Sequence, residues 1–144
     1  MNQAFSVSMC VYGGDHPAHF DTALDSIVNQ TVQPSEIVLT VDGPIPETIE
    51  FVIEKYRIQL AQSMIDFQVF YLEKNVGHGE ARRICFEHCQ CELIALMDAD
   101  DLSVPDRFEK QLAVFAQHPE LSIVGGNIHE FIDTPDHCVG KRIV

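Results

Sequence analysis

Three carboxylates in four residues, Asp98-Ala99-Asp100-Asp101, stand directly after the apolar run Leu93 to Met97. Like charges this close repel one another unless something neutralises them. Hard oxygen donors in such a place suit Mg2+ or Mn2+ shared with the phosphates of a ligand. A nucleoside diphosphate fits that logic, because a metal bridging its two phosphates would stabilise the negative charge developing on a departing diphosphate. Asp100 is assigned to the metal. The competing reading of the same residues is a solvated acidic turn, one carboxylate of which aids the start of the next helix through its dipole.

Three more polar stretches also follow short apolar runs: Val11-Tyr12-Gly13-Gly14-Asp15, Asp42-Gly43-Pro44 and Asn75-Val76-Gly77-His78-Gly79. In open parallel sheets, ligands lie beyond the carboxyl ends of the strands, so the four strand ends predict one acidic crevice.

The elements that must position these residues are legible as an alternation of strand-length apolar runs with segments of helical period, the mark of a parallel sheet flanked by helices. Strands are expected at Phe5 to Val11, Glu36 to Val41, Phe67 to Leu72, Leu93 to Met97 and Ser122 to Gly125. Phe20, Ala23, Leu24, Ile27 and Val28 recur at helical spacing, and a second helix is expected from about Glu47 to Ala61. Gly79 to Cys89 sets Ala81, Ile84, Cys85 and His88 on one helical face. Pro105 suits a first helical turn ahead of Phe108, Leu112 and Phe115, and His118-Pro119 stops that helix. Nothing repeats and no linker divides the chain, so residues 1–144 read as a single α/β domain.

A length of 144 residues with 46% hydrophobic content suits one globular domain with an ordinary core. The formal charge of -13, with nine basic residues, excludes a nucleic-acid surface, which needs a Lys and Arg patch. An anionic ligand would therefore be held locally, by a metal ion or backbone amides. No apolar run approaches the ~20 residues of a bilayer span, and Met1-Asn2-Gln3 leads straight into a strand instead of a signal peptide, so a cytoplasmic location is expected. Five cysteines without regular spacing read as reduced thiols.

Other motifs carry less. Cys85, His88, Cys89 and Cys91 are zinc-ligand types, but they lack a Cys-x2-Cys knuckle, and Cys85 and Cys89 fall near a face expected to be buried. Gly77-His78-Gly79 could open a dinucleotide fingerprint, but Arg82 stands where its third glycine belongs. His129-Glu130 lacks the second histidine of a zincin, and His16, His19, His78 and His88 form no defined motif.

The run Ile94-Ala95-Leu96-Met97-Asp98-Ala99-Asp100-Asp101, followed by Pro105-Asp106-Arg107-Phe108 and His118-Pro119-Glu120, resembles the family 2 glycosyltransferases of GT-A fold. Four earlier blocks resemble them in the same order: Val7-Ser8-Met9-Cys10-Val11-Tyr12, Ser26-Ile27-Val28-Asn29-Gln30-Thr31, Glu36-Ile37-Val38-Leu39-Thr40-Val41-Asp42-Gly43, and Asn75-x-Gly77 leading into Glu80-Ala81-Arg82. The resemblance implies a Rossmann-like layer fold that binds a nucleotide-diphosphate sugar, uridine-based, with Mn2+ or Mg2+. It implies that Asp42 accepts a hydrogen bond from the base and that the backbone of Val11, Tyr12 and Gly13 lines the base pocket. Asp98 would face the ribose, and Asp100 would reach the diphosphate through the metal. Gly77 falls in the matched loop, and Arg82 is a candidate for the diphosphate or the pocket wall. Two plainer readings stand beside these: Asp42-Gly43 as a simple turn bonded to its own backbone, and Arg82 as a helix-surface partner of Glu80 or Glu87.

Two departures qualify the match. Gly13 stands where the family often has asparagine, which removes side-chain contacts from that position. The family's acceptor-binding half and usual catalytic base lie beyond the position matching Val144, and no motif supports Glu130, Asp133 or Asp136 as the base, so the catalytic residue is left unassigned. The expectation is an N-terminal portion or shortened product that binds donor for inverting transfer but does not transfer sugar alone. Its acceptor would be a saccharide or glycoconjugate in bacterial surface-polysaccharide synthesis. That setting is compatible with peripheral membrane association of a full-length protein at the inner face of the cell membrane, and an open sheet edge would favour homo-oligomers. The rival classes are a non-catalytic binding or assembly module and a nucleotidyltransferase, although no Gly-rich triphosphate loop with a nearby basic residue is present.

Overall fold

The structure, a computed structural model, describes residues 3–143; the Met1-Asn2 lead-in and Val144 lie outside the described residues. The chain falls into two compact units, Met1–Asp106 and Arg107–Val144. Among the described residues, no helix is long and apolar enough to cross a membrane.

The first unit alternates strands and helices: β1 (Phe5–Val11), α1 (Pro17–Val28), β2 (Glu36–Val41), α2 (Glu47–Leu60), β3 (Asp66–Tyr71), α3 (His78–His88) and β4 (Leu93–Asp98). The four strands form one parallel sheet in the order β3-β2-β1-β4. The two central strands are buried along their whole length, as expected for Val- and Ile-rich runs covered on both faces.

Each helix buries an apolar stripe. His16 caps α1 by accepting the Ala18 amide on Nδ1, Pro17 supplies the first turn, and Phe20, Ala23, Leu24, Ile27 and Val28 turn inward. Helix α2 packs beside α1, where the buried Tyr56 donates its hydroxyl to the Asp21 carbonyl at 2.9 Å. Helix α3 lies on β1 and β2 through Ala81 and Cys85, with His88 stacked on Phe70. Ile84 and His88 are only half-buried, so the inward stripe of α3 is narrower than the spacing predicted.

The second unit holds α4 (Arg107–Gln117), which ends just before His118-Pro119, and a hairpin of β5 (Ile128–Phe131) with β6 (Cys138–Arg142). Pro105 lies in the turn before α4 and not in its first turn. The strand expected at Ser122 to Gly125 does not form. That stretch has two apolar side chains, Ile123 is exposed and Gly125-Gly126 follows, so little burial rewards its ordering. The hairpin instead uses later residues joined across the Asp133-Thr134-Pro135-Asp136 turn, and Arg142 pairs with Glu130 between its strands.

Candidate functional site

With strand order 3-2-1-4, the connections leave the sheet in opposite directions from β1, so a crevice opens beyond the carboxyl ends of β1 and β4. A cavity of about 470 Å3 lies there. Val11 and Tyr12 from the end of β1, Asp42 after β2, Gly77 before α3, and Asp98 and Asp100 after β4 all line it. Six of the eight residues singled out from sequence therefore meet in one place.

The other two, Gly13 and Arg82, do not line it. A Cβ on Gly13 would lie 2.7 Å from the Pro44 carbonyl oxygen, so the β1 and β2 loops meet there too closely for any side chain. That contact accounts physically for glycine where an asparagine was the family expectation. Gly43 has a similar role at φ 85°, where a Cβ would press within 2.4 Å of the Asn75 amide nitrogen. The close approach lets the loop before α3 fold over Asp42.

Asp42 is almost fully buried. Its carboxylate accepts the Val76 amide at 2.7 Å and the Gly77 amide at 3.1 Å, and its carbonyl accepts the Asn75 side-chain amide at 3.2 Å. The residue does bond to backbone, but across 34 and 35 residues, fastening the loop after β3 to the end of β2. Two amides leave lone pairs on a carboxylate free to accept more.

Arg82 pairs with Asp98, and its side chain is 19% exposed. The helix-surface pairing with Glu80 and Glu87 belongs to its neighbour Arg83. The Arg82 Nε is buried without an acceptor among the described residues, a donor held beside the acidic cavity. Asp98 ends β4 in register with Cys10, and the small Ala99 is buried, so Asp100 is turned outward. Asp100 is exposed and has no hydrogen-bond or ion-pair partner among the described residues.

Sequence reasoning gave no role to Asp15, which also lines the cavity and accepts the Tyr12 amide at 3.0 Å. Burial pushes its carboxyl above the ordinary value, and the charges of Asp100 and Asp98 add to the rise; the Tyr12 amide and His78 pull the other way. Its place at the end of the polar stretch after β1 was the available signal. Among the described residues, no three His, Cys, Asp or Glu side chains group to hold a metal by themselves. The carboxylates lining the cavity are those of Asp15, Asp42, Asp98 and Asp100, of which Asp42 is already bound to two backbone amides. This set fits a hard cation that takes one or two carboxylates and completes its shell with ligand phosphates.

Cys85 and His88 point elsewhere. The Cys85 Sγ lies 3.2 Å from the Val38 carbonyl oxygen and 3.5 Å from that of Met9, inside the core, while the His88 Nδ1 is engaged by the Ile84 carbonyl. Contact with Cys85, together with burial, holds the Cys10 thiol far above its ordinary value, so it stays protonated at the cavity floor.

Residues 6–139 match the family model described as Glycosyl transferase family 2. The chain belongs to this family. An uncharacterized glycosyltransferase of Haemophilus influenzae is 40% identical over 97% of this chain and 51% of its own length. The amylovoran biosynthesis glycosyltransferase AmsE of Erwinia amylovora is 35% identical over 88% of this chain and 46% of its own. An Escherichia coli UDP-Gal:alpha-D-GlcNAc-diphosphoundecaprenol beta-1,3-galactosyltransferase is 32% identical over 96% and 49%. The family 2 chain thus spans about half the length of these curated relatives. Among solved structures, S. aureus TarS 1-349 in complex with UDP superposes with a TM-score of 0.67 at 24% identity, over 81% of this chain and 33% of that one. That likeness bears on the fold, which is the GT-A-type, Rossmann-like layer of a family 2 glycosyltransferase in partial form.

Proposed function

We propose that this family 2 chain is the donor-binding portion of a glycosyltransferase, taking a nucleoside-diphosphate sugar in the cavity beyond β1 and β4. The observation that carries the reading is the convergence there of Asp42, Asp98 and Asp100 from three strand ends. Val11, Tyr12 and Asp42 are assigned to the base, with Gly13 and Gly77 shaping the loops around it. Asp98, oriented by Arg82, is assigned to the ribose. Asp100 is the residue assigned to Mn2+ or Mg2+, with Asp15 close enough in the same cavity to share its field. When bound, the metal would supply charge neutralisation on the leaving diphosphate. The protein's own contribution is to hold the donor in register and to hold the Arg82 guanidinium beside Asp98.

A uridine base is favoured because one relative is named for UDP-Gal and one fold neighbour for its complex with UDP. The acceptor is read as a saccharide or glycoconjugate of a bacterial surface polysaccharide, in keeping with the name of the Erwinia relative. Inverting transfer needs a base beside the acceptor hydroxyl, and of the cavity carboxylates Asp42, Asp98 and Asp100 are assigned to donor and metal while Asp15 is bound to the Tyr12 amide. We therefore read this chain alone as binding donor without transferring sugar.

Thermal-shift measurements against UDP, GDP, ADP and CDP, each with and without Mn2+, test the reading. UDP with Mn2+ is expected to raise Tm most. Equal shifts for all four nucleotides would remove the uridine assignment, and the absence of any shift would remove the donor site.

A further inference from the structure

The segment 99–105, which carries Asp100, has no strand or helix to satisfy its backbone, so its polar groups must find partners elsewhere. Three partners come from the end of α1 and the residues after it. The Ser103 amide donates to the Ser26 Oγ at 3.1 Å, the Gln30 Nε2 donates to the Val104 carbonyl at 2.7 Å, and the Thr31 amide donates to the Pro105 carbonyl at 2.9 Å. Gln30 is buried and Ser26 half-buried, and both are also tied into the helix: Gln30 donates to the Ser26 carbonyl and Ser26 to that of Ala23. On its other side, the buried Ser103 hydroxyl meets the Met97 sulfur at 3.4 Å, so the returning segment is fixed against β4 itself.

The carboxylate-bearing loop is thus anchored twice, by the β1–β4 ladder as far as Asp98 and by α1 at 103–105. Between those anchors, the Asp101 amide donates to the Asp98 carbonyl at 3.4 Å, and Asp100 stands exposed with no side-chain partner among the described residues. None of the α1 residues lines the cavity.

We infer that Ser26, Gln30 and Thr31 form a positioning clasp for the metal and diphosphate end of the donor site, acting on Asp100 through residues 103–105. The inference rests on the donor-site reading above. It separates the two ends of the cavity: the base end is built by Asp42 and the loop before α3, and the diphosphate end depends on α1.

The test is Gln30→Leu, which keeps the side chain's bulk and removes both Nε2 donations. Ser26→Ala is a smaller cut at the same loop, with Ser26→Thr as its conservative rescue. If Gln30→Leu does not fold, the serine pair carries the test. Two quantities are read in each folded chain: the ratio of UDP Kd without and with Mn2+, and amide hydrogen exchange across 99–104 against 36–41. Loss of the hydrogen bond that Gln30 makes to the loop, at the Val104 carbonyl, predicts a roughly fivefold fall in the Mn2+-dependent ratio, the equivalent of about 1 kcal/mol. The metal-free Kd should stay unchanged, exchange should quicken in 99–104 alone, and Ser26→Thr should restore the ratio that Ser26→Ala lowers. A purely structural role would lower Tm and quicken exchange throughout while leaving the ratio intact, and that result would overturn the inference. A wild-type chain that fails to bind UDP would overturn the donor-site reading and the clasp together; a binding wild type with an unaltered ratio in the variants would overturn the clasp alone.

Discussion

The two ends of the same parallel sheet treat acidic residues in opposite ways. At the amino end of β2, Glu36 is buried at 4% exposure, and its carboxylate accepts the Ser6 hydroxyl at 2.5 Å, the Gln90 amide at 2.6 Å and the Gln68 side-chain amide at 3.2 Å. Ser6 in turn accepts the Cys91 amide, so one carboxylate ties β1, β2, β3 and the turn before β4 together. At the carboxyl ends, Asp15 has one amide, Asp98 has Arg82, and Asp100 has no such partner among the described residues. The supply of local donors separates the two regions. A carboxylate saturated by the fold is a structural joint, and carboxylates left short of donors in a cavity are available to a ligand.

Glu36→Ala attacks the saturated end and should have the largest effect on stability. It leaves the buried Ser6 hydroxyl and the Gln90 amide without their acceptor, which predicts a loss of about 3 kcal/mol in denaturant unfolding. The proposed donor cavity lies at the other end of the strands, so nucleotide affinity of the folded fraction should be preserved. A stability change near zero would remove Glu36 as a joint.

Asp42→Ala sharpens the comparison, since Asp42 belongs to both categories. Freeing the Val76 and Gly77 amides predicts a loss of about 2 kcal/mol, with faster exchange in 75–77. Nucleotide affinity should fall more in this variant than in Glu36→Ala, measured at equal folded fraction. Equal affinities would confine Asp42 to holding the loop.

Asp15→Asn tests the unsaturated end and should have the smallest effect, in the opposite direction. Because the folded-state pKa of Asp15 is raised, its contribution to stability is fully present below the unfolded value, near 3.8, and is lost as pH rises through the higher folded value. Asparagine can still accept the Tyr12 amide and carries no charge. The variant should therefore match wild type at low pH and become slightly more stable than it as pH rises, in Tm measured across pH 3 to 7 on the order of single-unit steps. Lower stability than wild type at neutral pH would mean that the Asp15 charge is already compensated.

Much of this architecture is legible along the chain because parallel strands covered on both faces read as continuous apolar runs, and the polar residues after them mark one end of the sheet. Six of the eight residues singled out from the sequence line one cavity. What stayed hidden depends on contacts between distant residues. Arg82 and Arg83 are equivalent on paper, and only the twist of α3 over the sheet sends Arg82 to Asp98 and leaves Arg83 with Glu80 and Glu87. Gln30 reads as a helix-terminal polar residue, yet it reaches Val104, 74 residues away. Asp15 stood only as the last residue of the polar stretch after β1, and the cavity that it shares with Asp98 and Asp100 gives it a place. The strand expected at Ser122 to Gly125 failed for a related reason: Ile123 is exposed, so the local apolar character of that stretch gains no burial.

The most direct test of the central claim is calorimetric titration of the chain with UDP in the presence and absence of Mn2+, beside an Asp100→Ala variant of equal Tm. Donor binding through a metal at Asp100 predicts clear heat with Mn2+, weak heat without it, and a fall of about tenfold or more in affinity for the variant, the difference in Kd that about 1.4 kcal/mol produces. UDP binding that is indifferent to Mn2+ and unchanged in Asp100→Ala would contradict the metal assignment, and no binding of any nucleoside diphosphate by the folded chain would contradict the donor site itself.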